Sequence, residues 1–173
     1  MNKREALLQE IKIISGEPIK PTKIEAFKLR RLSRLMSRAL PKLWDRVDLF
    51  FLYRLRDCQQ GWAAYCLRGP GGVIAIGISD VGLAQSFLDG ISYLLHEVGH
   101  LAAIKHTGEF LKYLYKIITI FQRETGLYVT MSADELRYNL SDTPAFAGCR
   151  PRHNMAKVER FYCGLKPEGI SYR

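Results

Sequence analysis

Long apolar runs are missing from this 173-residue chain. No stretch approaches the roughly 18 apolar residues that a membrane-spanning helix needs. The most apolar segment, "LYKIITIF", is short and carries a lysine. The opening residues, "MNKREALLQEIKIISGEP", have no apolar middle of the kind that defines a secretory signal. Cysteine is sparse too: Cys58, Cys66, Cys149 and Cys163 are far apart, which argues against a disulfide framework and leaves free thiols or metal ligands. Internal repeats and low-complexity segments are absent, which excludes a solenoid. These absences lead us to expect a soluble, cytoplasmic protein with no membrane partner. Acid is in short supply, with 17 Asp+Glu against 26 Lys+Arg. Histidine is scarce as well: of four in the chain, three lie between residues 96 and 106.

What is present suits one ordinary globular domain, at 47% hydrophobic and 25% charged. The net charge of +9 is unevenly spread. Residues 1–60 carry 14 basic against 7 acidic side chains, residues 61–144 carry 6 against 8, and residues 145–173 carry 6 against 2. Two basic flanks thus bracket a near-neutral centre. Such flanks suit contact with DNA, RNA or another polyanion, and equally a solvated basic surface.

The pattern predicts an α+β chain. Residues 3–14 read as a short amphipathic helix. A second helix opens after Pro21, where Thr22 and Glu25 form a capping box, and runs to about Leu40 ahead of Pro41. Ile24, Phe27, Leu32, Leu35 and Met36 supply its apolar stripe. Arg30, Arg34 and Arg38, with Arg31 beside them, share another face that could follow a phosphate backbone. "DLFFLYRL" (48–55), "WAAYCLR" (62–68) and "VIAIGIS" (73–79) read as three strands. "RGPGG" makes a hairpin of the last two, so a small, mostly antiparallel sheet is expected. One long helix is predicted from about Gln85 to Ile104, and another from Gly108 to Glu124, closed by Gly126. The latter turns Phe110, Leu111, Leu114, Ile117, Ile118 and Phe121 inward. Ser132 and Glu135 cap a short helix through "ADELRYNL", after which the chain looks irregular.

The run "HEVGH" (96–100) is the H-E-x-x-H pattern. On a helix, residues four apart project from one face, so His96 and His100 can bind one Zn²⁺ ion. Glu97 is offset by one residue, beside the metal but not needed as a ligand. It is placed to take a proton from a zinc-activated water. A catalytic zinc needs a third protein ligand. His106 follows His100 by six residues, which on a straight helix turns it about 240° away. It can bind only if the helix ends between Ala102 and His106. "KHTG" permits such a bend, with Thr107 able to cap the next helix. Glu124 or Glu135 from later helices are the competing third ligands.

"HEVGHLAAIKHTGEFLKYLYKI" resembles the zinc motif of the SprT-like (Spartan-type) metalloproteases. There a third histidine opens an "H-G-x-x-F" or "H-x-x-x-F" segment, here His106-Thr107-Gly108-Glu109-Phe110. The resemblance implies a zincin-like minimal metalloprotease domain, with the H-E-x-x-H helix and flanking helices packed on the small sheet. It implies His96, His100 and His106 as ligands of one Zn²⁺ per chain and Glu97 as catalytic base in peptide-bond hydrolysis. Phe110 would pack to anchor the turn. "CRPRHNMAKVERFYCG" (149–164) is similar to the zinc ribbon that follows this domain in bacterial members. Cys149 and Cys163 lack partner cysteines, with Ala147 and Lys166 in their places. The segment reads as a degenerate ribbon that keeps Arg150, Arg152, Lys157 and Arg160. Cys149, His153 and Cys163 form a conceivable second metal group. The resulting division is a basic helical segment (1–42), a catalytic domain (43–140) and a basic tail (141–173).

Three other readings remain open. A metzincin would also place a third ligand at His106, with Met131 available for its Met-turn, but Ala103 stands where its glycine belongs. A binding module could engage nucleic acid through Arg30, Arg31, Arg34, Arg38, Arg150 and Arg152 without proteolysis. A zinc hydrolase could act on a non-peptide amide or ester. Tyr113, Tyr115 and Tyr128 are candidates for steadying an oxyanion.

Overall fold

The structure is a computed structural model that describes Glu5, Ala6, Gln9 and residues 18–54 and 63–129. Glu5, Ala6 and Gln9 are helical, inside the first predicted helix. The rest of that helix, the predicted helix after Ser132 and the ribbon-like tail lie outside the described residues. Among the described residues the chain is α+β and its elements run α1 (Lys23–Ala39), α2 (Pro41–Trp44), β1 (Leu49–Tyr53), β2 (Ala64–Arg68), a 3-10 turn (Pro70–Gly72), β3 (Ile74–Ser79), α3 (Asp80–Ala84), α4 (Phe87–Gly99) and α5 (Gly108–Thr125). No described helix is long and apolar enough to cross a membrane. The chain separates into two compact units, residues 1–98 and 99–173.

In the first unit, α1 begins at the predicted capping box. The Thr22 hydroxyl accepts from Glu25 N at 3.3 Å, and Thr22 N donates to Glu25 Oε2 at 2.7 Å. Pro41 ends α1 and starts α2, whose Trp44 Nε1 reaches back to Ser33 Oγ at 3.2 Å. The expected apolar stripe is only half buried. Leu32, Met36 and Ala39 are buried, but Ile24 and Phe27 are 72% and 61% exposed. The stripe thus serves the core only along the second half of the helix. Two contacts with the short α3 and with α4 hold it: Lys28 Nζ donates to Leu83 O at 3.2 Å, and the Arg31 guanidinium lies 4.1 Å above the Phe87 ring. Arg30, Arg31, Arg34 and Arg38 are all exposed.

The sheet corrects the expectation of a mostly antiparallel arrangement. Its order is β1-β3-β2, with β2 antiparallel and β1 parallel to β3. The β2–β3 hairpin is as predicted. The central place of β3 has a physical cause in its sequence, "IAIGIS", which is buried at every position. A strand apolar on both faces belongs at the centre, with both edges paired. The hairpin occupies one edge, so β1 adds to the other. One face of the sheet carries a cluster of Phe51, Tyr53, Tyr65 and Ala75. The Tyr53 and Tyr65 ring centroids are 4.8 Å apart.

The predicted helix 85–104 is shorter, running as α4 from Phe87 to Gly99, and the unpredicted α3 precedes it. α3 starts under a Ser79 cap, whose hydroxyl accepts from Gly82 N at 2.9 Å. α4 follows Ser86, whose hydroxyl accepts from Asp89 N at 3.1 Å while Asp89 Oδ2 accepts from Ser86 N at 3.2 Å. In the second unit, α5 starts at the Thr107 cap and ends at Gly126, whose φ of 71° is the left-handed value a C-terminal glycine supplies. All six residues predicted to face inward on α5 are buried, and Tyr115 joins them.

Candidate metal centre

His96 stands in the last turn of α4, and His100 directly follows its last residue, Gly99. The helix therefore stops earlier than the expected window of Ala102 to His106. The reason lies in how the next polar groups are used. The Gly99 carbonyl accepts from both Ala102 N (3.0 Å) and Ala103 N (3.3 Å), which tightens the turn. Thr107 N donates to Lys105 O at 2.8 Å rather than to a carbonyl one helical turn back. Thr107 Oγ1 then accepts from Phe110 N at 3.4 Å and starts α5. No described non-glycine residue has positive φ, so Ala103 turns the chain without the left-handed backbone that a glycine would offer.

This bend brings the third histidine back. His96, His100 and His106 each offer a ring nitrogen, and these nitrogens all lie within 4.8 Å of one another. The group can hold a metal ion. Nitrogens about 2.05 Å from one tetrahedral ion stand roughly 3.3 Å apart. Binding therefore asks the rings to close by at most about 1.5 Å, within reach of side-chain rotation. Among the described residues no other cluster of this kind occurs. Glu124 is outside it, exposed and paired with Arg123 at 2.7 Å. Glu135, Cys149, His153, Cys163, Arg150, Arg152 and Met131 lie outside the described residues.

Ring orientation is set locally. His100 Nδ1 is 3.1 Å from Ala103 O. A carbonyl only accepts, so Nδ1 carries the proton and Nε2 keeps its lone pair for a metal. This is the outer-shell arrangement that fixes the tautomer of metal-binding histidines. The Phe110 ring is fully buried and stacks on His100, with centroids 4.7 Å apart and planes at 30°. It meets His106 edge-on at 5.0 Å and 86°. Phe110 thus packs against the turn as expected.

Glu97 is not part of the imidazole group. It is buried at 7% exposure. Burial pushes its carboxyl up to about 8, opposed by a hydrogen bond from the Cys66 backbone. That backbone group points outward from the sheet. Ser79 N bonds Ala63 O and Gly69 N bonds Val73 O, both at 2.8 Å. In this register Ala63, Tyr65, Leu67 and Gly69 face β3, and Ala64, Cys66 and Arg68 direct their N–H and C=O away from it. Burial also pushes the Cys66 thiol up to about 12. Of the tyrosine candidates, Tyr115 is buried in the core face of α5 and Tyr128 is 77% exposed.

Two contributors were not singled out in the sequence. One is the Cys66 main chain, whose part depends on strand pairing. The other is Gly99, and it did carry a signal: a glycine inside a helical motif is unfavourable unless something approaches closely. No protein-family model, curated protein or solved structure matches this chain.

Proposed function

We propose that the chain is a zinc-dependent peptidase of the SprT-like type. The observation that carries this reading is the convergence of three imidazoles beside a buried carboxylate that immediately follows the first of them. Three nitrogen donors with room for a fourth, exchangeable position are the usual catalytic zinc set. Zinc, when bound there, supplies Lewis acidity toward a carbonyl and lowers the pKa of water. The protein's own residues do the rest. Glu97 accepts a proton at a carboxylate oxygen and returns it to the leaving amine. A nearby positive charge favours its ionised form, against the burial that raises its pKa. The Cys66 N–H holds that carboxylate in place. His100, with its Nδ1 proton committed to Ala103 O, presents only Nε2.

The outer edge of β2 favours a peptide over a small amide or ester. Ala64 and Arg68 direct main-chain groups away from β3 on the strand whose Cys66 N–H holds Glu97. An extended peptide can pair along such an edge, which would carry its bonds past the base. The exposed Arg30, Arg31, Arg34 and Arg38 support a second element, contact with DNA or RNA, so that protein substrates associated with nucleic acid are the suggested targets.

The test is metal analysis with a paired activity assay. Purified protein should carry about one zinc per chain. Glu97→Gln should keep the zinc and lose cleavage of an unfolded protein substrate. Well-folded protein that takes up no zinc would sink the proposal. Zinc-bound protein without hydrolysis, and with salt-dependent nucleic-acid binding unchanged by Glu97→Gln, would favour the binding module.

A further inference from the structure

Gly99 is the residue of the "HEVGH" run that leaves empty space, and an aromatic ring fills it. A Cβ at Gly99 would stand 3.0 Å from Phe110 Cε2 and 3.3 Å from Phe110 Cζ. Real side chains rarely sit that close, so any substitution must move the ring. The ring has little freedom to move. Phe110 is 0% exposed, as are its neighbours Leu111 and Leu114, and its main chain is tied to the Thr107 cap.

We infer that Gly99 is a positioning residue for the metal centre: by admitting the Phe110 ring it sets the separation and tilt of the His100 and His106 imidazoles. The inference rests on reading these histidines as metal ligands. An imidazole donates along a lone pair in its ring plane, so tilt decides where that lone pair points. His100 is gripped on two sides, by the Ala103 carbonyl and by the face of Phe110. His106 sits between helices, with no helix of its own to aim it. The edge-on contact with Phe110 constrains its ring at 5.0 Å, and the two imidazoles come to rest 4.8 Å apart. Displacing the shared ring therefore disturbs both ligands at once. Helix propensity alone points the other way, because alanine is the better helix former at this position. Weaker metal binding in variants that remain folded separates positioning from a purely structural role.

The experiment measures zinc affinity by chelator competition in the full chain for wild type, Gly99→Ala, Phe110→Leu and the double variant. Each single variant is expected to bind zinc about ten- to a hundredfold more weakly, the usual range for residues that orient ligands. The double variant should be no weaker than the worse single, because both act through one ring. In chelator-dialysed protein, the proton resonances of the His100 ring should carry a ring-current shift that Phe110→Leu removes and Gly99→Ala alters. If Gly99→Ala does not fold, Phe110→Leu carries the test. Wild-type zinc affinity in the folded variants, or additive losses in the double variant, would overturn this inference alone. A wild-type chain that binds no zinc would overturn the metal reading, and this inference with it.

Discussion

The Cys66 main chain on β2 hydrogen-bonds the Glu97 carboxylate on α4. One contact thus ties the candidate base to the outer strand of the sheet. It offsets part of the cost of burying this carboxyl, which burial still pushes up to about 8.

Replacing Glu97 with glutamine tests its role without emptying the site. The amide keeps the size of the side chain and an oxygen for the Cys66 N–H. Hydrolysis is expected to fall by about 10²- to 10⁴-fold, the range for a general base. Zinc content should not change. Steady-state kinetics beside metal analysis would show a loss of both together if Glu97 were a ligand instead.

The third ligand is tested by comparing His106→Ala with Glu124→Ala and Glu135→Ala. His106→Ala should lower zinc content under mild chelation, since a two-ligand site lets its metal go. Glu124→Ala should leave it unchanged, because its carboxylate is paired with Arg123 on the surface. Zinc loss in Glu135→Ala with retention in His106→Ala would reverse the assignment.

Cys66 provides a pH test away from the histidines. Burial raises its thiol to about 12, so in the folded chain it keeps its proton where the unfolded chain loses it. A raised folded-state value contributes stability that is complete below the unfolded pKa, near about 8.5, and is lost as pH climbs toward the folded value. The urea midpoint of wild type should therefore fall toward that of Cys66→Ala as pH rises from about 8 to about 11. Cys66 is half-buried, and its raised thiol should make alkylation in native protein at about pH 8 slower than in denaturant. Equal rates would contradict the burial.

The arginine face of α1 predicts an ionic-strength signature. Removing Arg30, Arg34 and Arg38 together should weaken binding to nucleic acid and reduce the salt slope by about two to three. Stability should change by no more than about 0.5 kcal/mol per site, as for other exposed substitutions. An unchanged salt slope would assign this face to solvent.

Much of the local structure is legible in the sequence. Thr22 with Glu25 marks the start of α1 because a capping box satisfies helix donors using residues three apart. Gly108 to Glu124 reads as a helix with its buried face named, because a period of 3.6 places those six side chains together. The bend before His106 was also legible, since two ligands on a helix leave a third out of reach unless the chain turns. The extent of the apolar stripe on α1 was not. Ile24 and Phe27 fit the period as well as Leu32 does, and only the positions of the neighbouring α3 and α4 decide which half is covered.

The sequence by itself determined the order of the longer elements, the Thr22 and Thr107 caps, the hairpin and the identity of the clustered histidines, because each depends on residues close together in the chain. Tertiary structure alone decided what depends on distant partners. It put β3 between β1 and β2, because a strand buried on both faces takes the centre. It set the Cys66 backbone against Glu97 and the Phe110 ring in the space left by Gly99. Neither contact can be read from spacing, because each depends on where two separate elements come to lie.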